Sequence, residues 1–232
     1  MTERIYTAEQ LNALPAHGVE AQKIRALFNA YGGGYDFCRF FRHGDRYLAG
    51  LDGSFVVCDQ SGADFEELAQ FLGMHGFTDI FCSESAGEAL KTLVGAEFTP
   101  VFLMRYTCEK GGELPAELPP SQVWDIIGSR FDIPFEPWYL DMSHRVRHGV
   151  SRCFSDGKAA LVVQHEINGE ALISQVSVRR EYERQGYAGA LVKRVSAAIP
   201  GEVQVICEDG LRGFYVRCGY EPVSKKYAAV LR

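Results

Sequence analysis

The sequence predicts a mixed α/β fold arranged as two related halves. Three observations lead there. Short β-rich runs broken by turn dipeptides form a hairpin meander in each half. Each meander is followed by a helix, a strand, a second helix and a strand. A stretch rich in glycine, proline and glutamate, "KGGELPAELPPSQ", lies between the two series. These divide the chain into a domain over 1–109, a linker over 110–121 and a second domain over 122–232.

In the first half, "ERIYTAEQLNAL" and "EAQKIRALFNAY" have helical spacing, and Thr7 followed by Gln10 suggests a capping box. "YDFCRFFRHGDRYLAGLDGSFVVCDQ" then reads as a meander turning at His43-Gly44-Asp45 and at Asp52-Gly53. "ADFEELAQFLGMHG" is an amphipathic helix ending at Gly76, and "FTDIFCS", "SAGEALKTLVG" and "FTPVFLMRY" follow as strand, helix and strand.

The second half repeats this order. Helices "SQVWDIIGSRF" and "DMSHRVRHGV" precede the strands "SRCFSDG", "KAALVVQHEING" and "EALISQVSV". Helix "YAGALVKRVSAAI", strand "EVQVICE", helix "LRGFYVRC" and strand "YEPVSKKYAAVLR" complete it. "IFC" at Ile80–Cys82 parallels "VIC" at Val205–Cys207, and "FTPV" parallels "YEPV". Two readings stand at this point: a diverged tandem repeat, or chance similarity between two αβ units.

Composition excludes several classes of function. Hydrophobic residues make up 47% of the 232 and charged residues 23%, the balance of a folded globular protein and not of a disordered one. The formal net charge is -6 and lysine and arginine form no dense block, so neither a nucleic-acid track nor an anionic membrane surface is expected. The 7 cysteines are scattered, odd in number and never spaced C-x-x-C, which reads as reduced core thiols. "MTERIYTAEQ" has no apolar signal region, and no apolar run reaches the ~18 residues of a membrane span. A cytoplasmic location, a small-molecule or peptide partner, and a monomer or homodimer are the expectations.

The stretch that carries chemistry is "EYERQGYAGALVK", Glu181 to Lys193. A turn with glycine at the start of a helix leaves backbone N–H groups bare, and the helix dipole adds partial positive charge there. Phosphates bind at such places when side chains are small enough to let the backbone approach, as at Gly186, Ala188 and Gly189. The dinucleotide fingerprint does not fit, because the loop reads G-Y-A-G-A and follows a meander. A Walker loop does not fit either, since no G-K-[ST] occurs.

"VRREYERQGYAGALV" resembles the acyl-CoA-binding motif of the GNAT superfamily of N-acyltransferases, V-x-P followed by [QR]-x-x-G-x-[GA]. Val178 takes the place of the valine, Gly186 of the glycine and Ala188 of the small residue. Arg180 stands where the family has proline, and Glu183 where it has Gln or Arg. "LRGFYVRCGYEPV" is similar to the family's second signature, with Tyr215 at the tyrosine position and Gly219-Tyr220 as the Gly-aromatic pair.

The resemblance implies a mixed, mostly antiparallel central sheet flanked by helices. It implies acetyl-CoA as co-substrate, with no metal. The pantetheine would lie along the strand ending at Val176, Ser177 and Val178, and the diphosphate on amides of Arg184, Gln185, Gly186, Tyr187, Ala188 and Gly189. Glu183 is expected to turn away from the diphosphate. The activity implied is transfer of an acetyl group to a primary amine; a non-catalytic acyl-CoA-binding or regulatory module is the alternative.

Direct transfer needs a proton off the amine and a proton for the departing thiolate. Tyr215, a phenol of ordinary pKa about 10, can donate while neutral at pH 7; the other reading is a half-buried helix aromatic. Glu166 is the chosen base, in the turn region it shares with His165 and Glu170, with a solvated hairpin carboxylate as the other reading. Period-two alternation puts Val162, Gln164 and Glu166 on one face.

Other groups are weaker candidates. His144 and His148 have the i, i+4 spacing of a zinc pair but no evident third ligand. Arg145 and Arg147 suit an acidic substrate or a solvated face. Trp138, Tyr139 and Asp141, just before that helix, suit either a wall for a cationic amine or packing. In the first half no glycine loop is present, and Asp64, Glu66 and Glu67 at the helix mouth compete for the amides. That half therefore reads as a degenerate repeat. The segment "VFLMRYT" is a candidate for the first strand of the second domain.

Overall fold

The computed structural model describes residues 2–60, 64–131 and 133–231. Ala63, at the start of the expected segment "ADFEELAQFLGMHG", and Arg232, at the end of "YEPVSKKYAAVLR", lie outside these residues. Chain contacts group into two compact units, Met1–Phe102 with Ser224–Arg232, and Leu103–Val223. The Pro-rich segment after Lys110 falls inside the second unit, and the last residues of the chain belong to the first.

The first unit has strands β1 (Thr2–Ile5), β2 (Cys38–His43), β3 (Arg46–Leu51), β4 (Ser54–Cys58) and β5 (Asp79–Ser83), with helices α1 (Val19–Tyr31), α2 (Phe65–His75) and α3 (Glu84–Leu90). The meander turns where expected: Gly44, Asp52 and Gly53 all have positive φ, the conformation that lets two-residue hairpins follow the strand twist. Alternation sorts the meander onto two faces. Phe40, Tyr47, Ala49 and Val56 pack with Ile24 and Leu27 of α1. Phe41, Leu48, Phe55 and Val57 pack with Leu68, Phe71 and Leu72 of α2.

The expected helix over "ERIYTAEQLNAL" is instead β1 followed by a 3-10 turn, Ala8–Leu11. Thr7 is extended at φ -125 and ψ 156, and the residues before it pair with β2, from Thr2↔His43 to Ile5↔Phe40. Gln10 Oε1 accepts from the backbone N–H groups of Tyr6 at 2.8 Å and Thr7 at 3.1 Å, so the Thr7/Gln10 signal marks the start of the 3-10 turn. β4 and β5 run parallel, paired from Ser54↔Asp79 to Val57↔Cys82. The last strand of the chain, β11 (Tyr220–Leu231), adds its Lys226–Val230 stretch antiparallel to β5. Gly87 makes room for it, since a Cβ there would sit 2.2 Å from the Tyr227 ring.

The second unit takes residues from Leu103 onward of β6 (Ala96–Tyr106), then α4 (Pro120–Ile127), α5 (Phe135–Arg147), β7 (Arg152–Ser155), β8 (Ala159–Ile167), β9 (Glu170–Val178), α6 (Tyr187–Ala198), β10 (Glu202–Cys207) and α7 (Arg212–Arg217). The strand order is β6-β10-β9-β8-β7. "VFLMRYT" therefore does supply the first strand of this unit in chain order, and it lies beside β10 in the sheet. α5 starts six residues before the expected "DMSHRVRHGV". Pro134 is its N-cap, and Pro137 falls in the first turn, where the missing N–H has no helical acceptor to lose. In each unit a helix, a three-stranded meander, a helix, a strand parallel to the last meander strand and a further helix follow in that order.

Two irregularities open the second unit's sheet. β8 and β9 pair antiparallel, but Leu161 lies opposite both Gln175 and Val176, and Gln164 is the extra residue on the other strand. Gln175, in this bulge, takes a left-handed φ of 50, a conformation that one class of bulge uses. β9 and β10 pair in parallel from Glu202↔Glu170 to Val205↔Ile173 and no further. The stretch Ser174–Val178 thus leaves its β10 partner and turns a free edge toward α6 and α7.

Candidate active site

α6 begins at Gly186, whose φ of 87 and ψ of -3 are left-handed. Arg184, two residues earlier, is also left-handed at φ 59. The first helical backbone bond runs from Ala190 N–H to the Gly186 carbonyl at 2.9 Å. The amides of Tyr187, Ala188 and Gly189 precede it and have no acceptor within the helix. No side chain caps them at Gly186, and the small residues leave the mouth open.

A cavity of about 670 Å³ lies over this mouth, lined by Val178, Tyr182, Arg184 and the Gly186–Ala190 stretch. Its cations are Arg184, Lys193 and Arg217, and among the described residues no carboxylate lines it. A second cavity of about 470 Å³ shares Val178, Arg184, Ala188 and Phe214 with the first and continues past Val176 and Ser177 to Tyr215. Together they make a channel along the parted edge of β9, cationic at the helix mouth and ending at a phenol.

Tyr215 is 6% exposed. Burial, followed by the nearby thiols Cys207 and Cys218, pushes its pKa well above the usual phenol value, so it is a neutral hydroxyl across the physiological range. Its ring stands edge-on to Phe214 and Tyr220, 5.0 and 5.6 Å between centroids. Beside the mouth, Lys158 donates to the Tyr187 hydroxyl at 2.8 Å. Its ammonium lies 4.1 Å from the Tyr187 ring centroid and 5.2 Å from that of Tyr182. The hydrogen bond to Tyr187 is the main reason the lysine pKa is raised.

Of the residues expected from sequence, the structure brings Val176, Ser177, Val178, Arg184, Gly186, Tyr187, Ala188, Gly189 and Tyr215 to these two cavities. Gln185 is not in either lining; its side-chain amide donates to the Glu181 carbonyl at 2.9 Å. The Ser177 hydroxyl turns to the Ile126 carbonyl, 2.8 Å away, leaving its backbone toward the channel. Glu183 avoids the helix-mouth cavity and lines the second one, 3.8 Å from Arg130.

Glu166 is not in the channel. It is ion-paired with Arg152, which also reaches Glu117 at 3.4 Å. The β8 bulge at Gln164 shifts the register just before it, and simple alternation could not foresee that shift. Trp138 is buried against Trp124, ring centroids 4.9 Å apart, and is thus a core residue of its own unit. Asp141 pairs with Arg145 at 2.8 Å. Among the described residues no group of three His, Cys, Asp or Glu is placed to hold a metal.

Sequence reasoning missed Tyr182, Lys193, Phe214, Arg217, Cys218, Arg130, Phe131 and Leu211. Helical spacing held part of the signal: Lys193 is i+4 from Gly189, and Phe214, Arg217 and Cys218 are i, i+3 and i+4. Nothing in the sequence pointed to Arg130 and Phe131, which come from the loop after α4.

No protein-family model and no curated protein matches the sequence. Solved structures do. A GNAT-family acetyltransferase from Colwellia psychrerythraea aligns over 99% of this chain and 98% of its own, with TM-score 0.55 and 13% identity. A GCN5-related N-acetyltransferase from Kribbella flavida aligns over 91% and 93%, with TM-score 0.58 and 15% identity. The chain has the GNAT fold. A tandem GNAT protein from the clavulanic acid biosynthesis pathway also aligns, over 99% and 97%, with TM-score 0.50 and 9% identity. The parted β9 edge and the bare start of α6 are the parts of this GNAT fold that form the channel. In the first unit, β4 and β5 stay paired to Val57↔Cys82, and Asp64 caps α2 by accepting from the Glu67 N–H at 3.2 Å. That helix start is already taken by a carboxylate.

Proposed function

We propose that this protein is an N-acetyltransferase that moves an acetyl group from acetyl-CoA directly to a primary amine of a small molecule or peptide. The observation that supports this most is the continuous channel from the bare amides of α6 to Tyr215. Its residues fit a diphosphate thioester: three unpaired amides and Arg184 for the anion, the unpaired edge of Ser174–Val178 for an extended amide-bearing arm, and no carboxylate at the helix mouth.

The bound thioester supplies an activated acyl group; the protein supplies position and a proton. Tyr187, Ala188 and Gly189 hold the anion with backbone N–H groups, at the positive end of the helix dipole. Val176 and Val178 orient the arm by backbone pairing. Tyr215, kept neutral by burial, donates its hydroxyl proton where a thiolate would form. Arg130 and Phe131 line the second cavity, and the amine would meet the acyl group there. With Glu166 held by Arg152, the amine arrives neutral or loses its proton to water.

Among the described residues the one carboxylate in the channel lining, Glu183, is ion-paired with Arg130, which favours one second reading, a non-catalytic acyl-CoA-binding module. Thermal melting with acetyl-CoA, followed by thiol release on a panel of amines, separates the two. Stabilisation with turnover is expected. Stabilisation without turnover supports the module, and no stabilisation at millimolar acetyl-CoA defeats both.

A further inference from the structure

A third cavity, of about 660 Å³, shares no lining residue with the two that form the channel. Its apolar walls are Leu118, Pro119 and Pro120, which lead into α4, and Tyr139, Leu140 and Val146 of α5. α4 keeps it away from the acyl channel. Pro120 and Ile127 are the first and last residues of that helix, about 10 Å apart along its axis. Arg130 and Phe131 of the second cavity follow the far end. The volume is that of a small-molecule site, and apolar walls with a few polar groups are the usual lining of one.

The polar groups are Glu117, Ser143 and Arg147. Glu117 is paired with Arg152 at 3.4 Å. Arg147 uses its Nε to donate to the Ser143 carbonyl at 3.2 Å, and among the described residues its terminal amino groups meet no carboxylate. The Oγ of Ser143 is buried and has no hydrogen-bond partner among the described residues, which costs stability for as long as it stays so.

We propose that this groove is a further binding site, for a small monocarboxylic acid with an apolar body. The Arg147 guanidinium fork matches the two carboxylate oxygens, the Ser143 hydroxyl donates to one of them, and the apolar body lies against the prolines and α5. One uncommitted cation suits a single negative charge. A phosphate monoester, close to doubly charged at neutral pH, would leave charge over to repel Glu117. An extended peptide finds no row of backbone donors here: Pro119 and Pro120 have no N–H, and the Leu118 N–H already donates to the Cys153 carbonyl at 2.9 Å.

Octanoate, octanol and octylamine share one chain and differ in head group, and calorimetric titration of the full chain with each tests the site. Octanoate should bind about tenfold more tightly than the other two, the effect of hydrogen bonds to a charged group. Arg147→Gln should erase that preference and hold octanol within about twofold of the native affinity. Leu140→Glu should abolish octanoate binding. Both side chains are exposed, so both variants should fold, and melting curves check this. Adding CoA should leave octanoate affinity unchanged. Equal affinity for the three probes, preference for octylamine, or no octanoate binding at millimolar concentration overturns the site. Octanoate binding that survives Arg147→Gln undiminished, or that CoA displaces, puts the probe elsewhere and also overturns it. A peptide ending in a free leucine carboxylate that outbinds octanoate would assign the groove to a chain end and overturn the small-acid occupant. The site does not rest on the acyl-CoA reading, and its failure leaves that reading intact.

Discussion

The indole Nε1 of Trp138 donates to Oε1 of Gln175 at 2.9 Å, tying α5 to the residue at which β9 bulges. Gln175 has a positive φ at the bulge, and the bulge lies within the stretch where β9 has left β10. One side chain thus holds the backbone irregularity that opens the channel.

Trp138→Phe keeps an aromatic ring against Trp124 and removes the donor. A loss of about 1–2 kcal/mol in stability is expected from the half-buried amide left without its partner. Acetyl-CoA affinity should fall along with it. Chemical denaturation and titration check both, and unchanged affinity in a destabilised variant would make the bond structural only.

Tyr215→Phe should lower turnover by about 10²-fold, as loss of a positioned general acid does, with acetyl-CoA affinity little changed. Steady-state kinetics across an amine panel read this. An unchanged rate removes Tyr215 as the proton donor.

Stability should fall at alkaline pH. Burial raises Tyr215 and Tyr220 above the usual phenol range and Cys58, Cys82 and Cys153 to about 12. Each group keeps its proton in the folded chain at a pH where the unfolded chain has released it. Their contribution is complete below the unfolded values and is lost as pH rises through the folded ones. Denaturant midpoints should therefore decline from about pH 9 upward; a flat profile to pH 11 would contradict the burial of these groups.

Gly186 has open space around its α-carbon but a φ of 87, so its requirement is conformational. Gly186→Ala should cost about 1–2 kcal/mol of stability through left-handed strain. Gly186→Glu should abolish acetyl-CoA binding by placing a carboxylate at the anion site. Melting and titration distinguish these effects, and tight binding by the glutamate variant would put the diphosphate elsewhere.

Glu166→Gln should leave turnover within about twofold of native, because its partner is Arg152 and the channel is elsewhere. A large loss of kcat would restore Glu166 as a base.

Much of the second unit was legible because its signals are local. β9 begins and ends where "EALISQVSV" does, α6 starts at Tyr187, and Gly186, expected to leave the helix mouth bare, is its N-cap. The misreadings have physical causes of a different kind. "ERIYT" became a strand because β2 offered a partner, and "PFEPWYL" joined α5 because proline is tolerated in a first turn. Glu166 pairs with Arg152 and lines neither cavity, after a bulge at Gln164 that alternation does not foresee.

The sequence alone determined the order of elements from α1 onward, the turn residues of the meander, and the small residues that bare the start of α6. All of these depend on conformational preferences within a few residues. Only the tertiary structure decided that β9 parts from β10 after Ile173, that Tyr215 is buried at the end of the channel, and that Lys193, Arg217 and Cys218 line one cavity. It also decided that the closing residues of the chain complete the first unit. These outcomes rest on contacts between segments far apart in the chain, and no local pattern of residues encodes them.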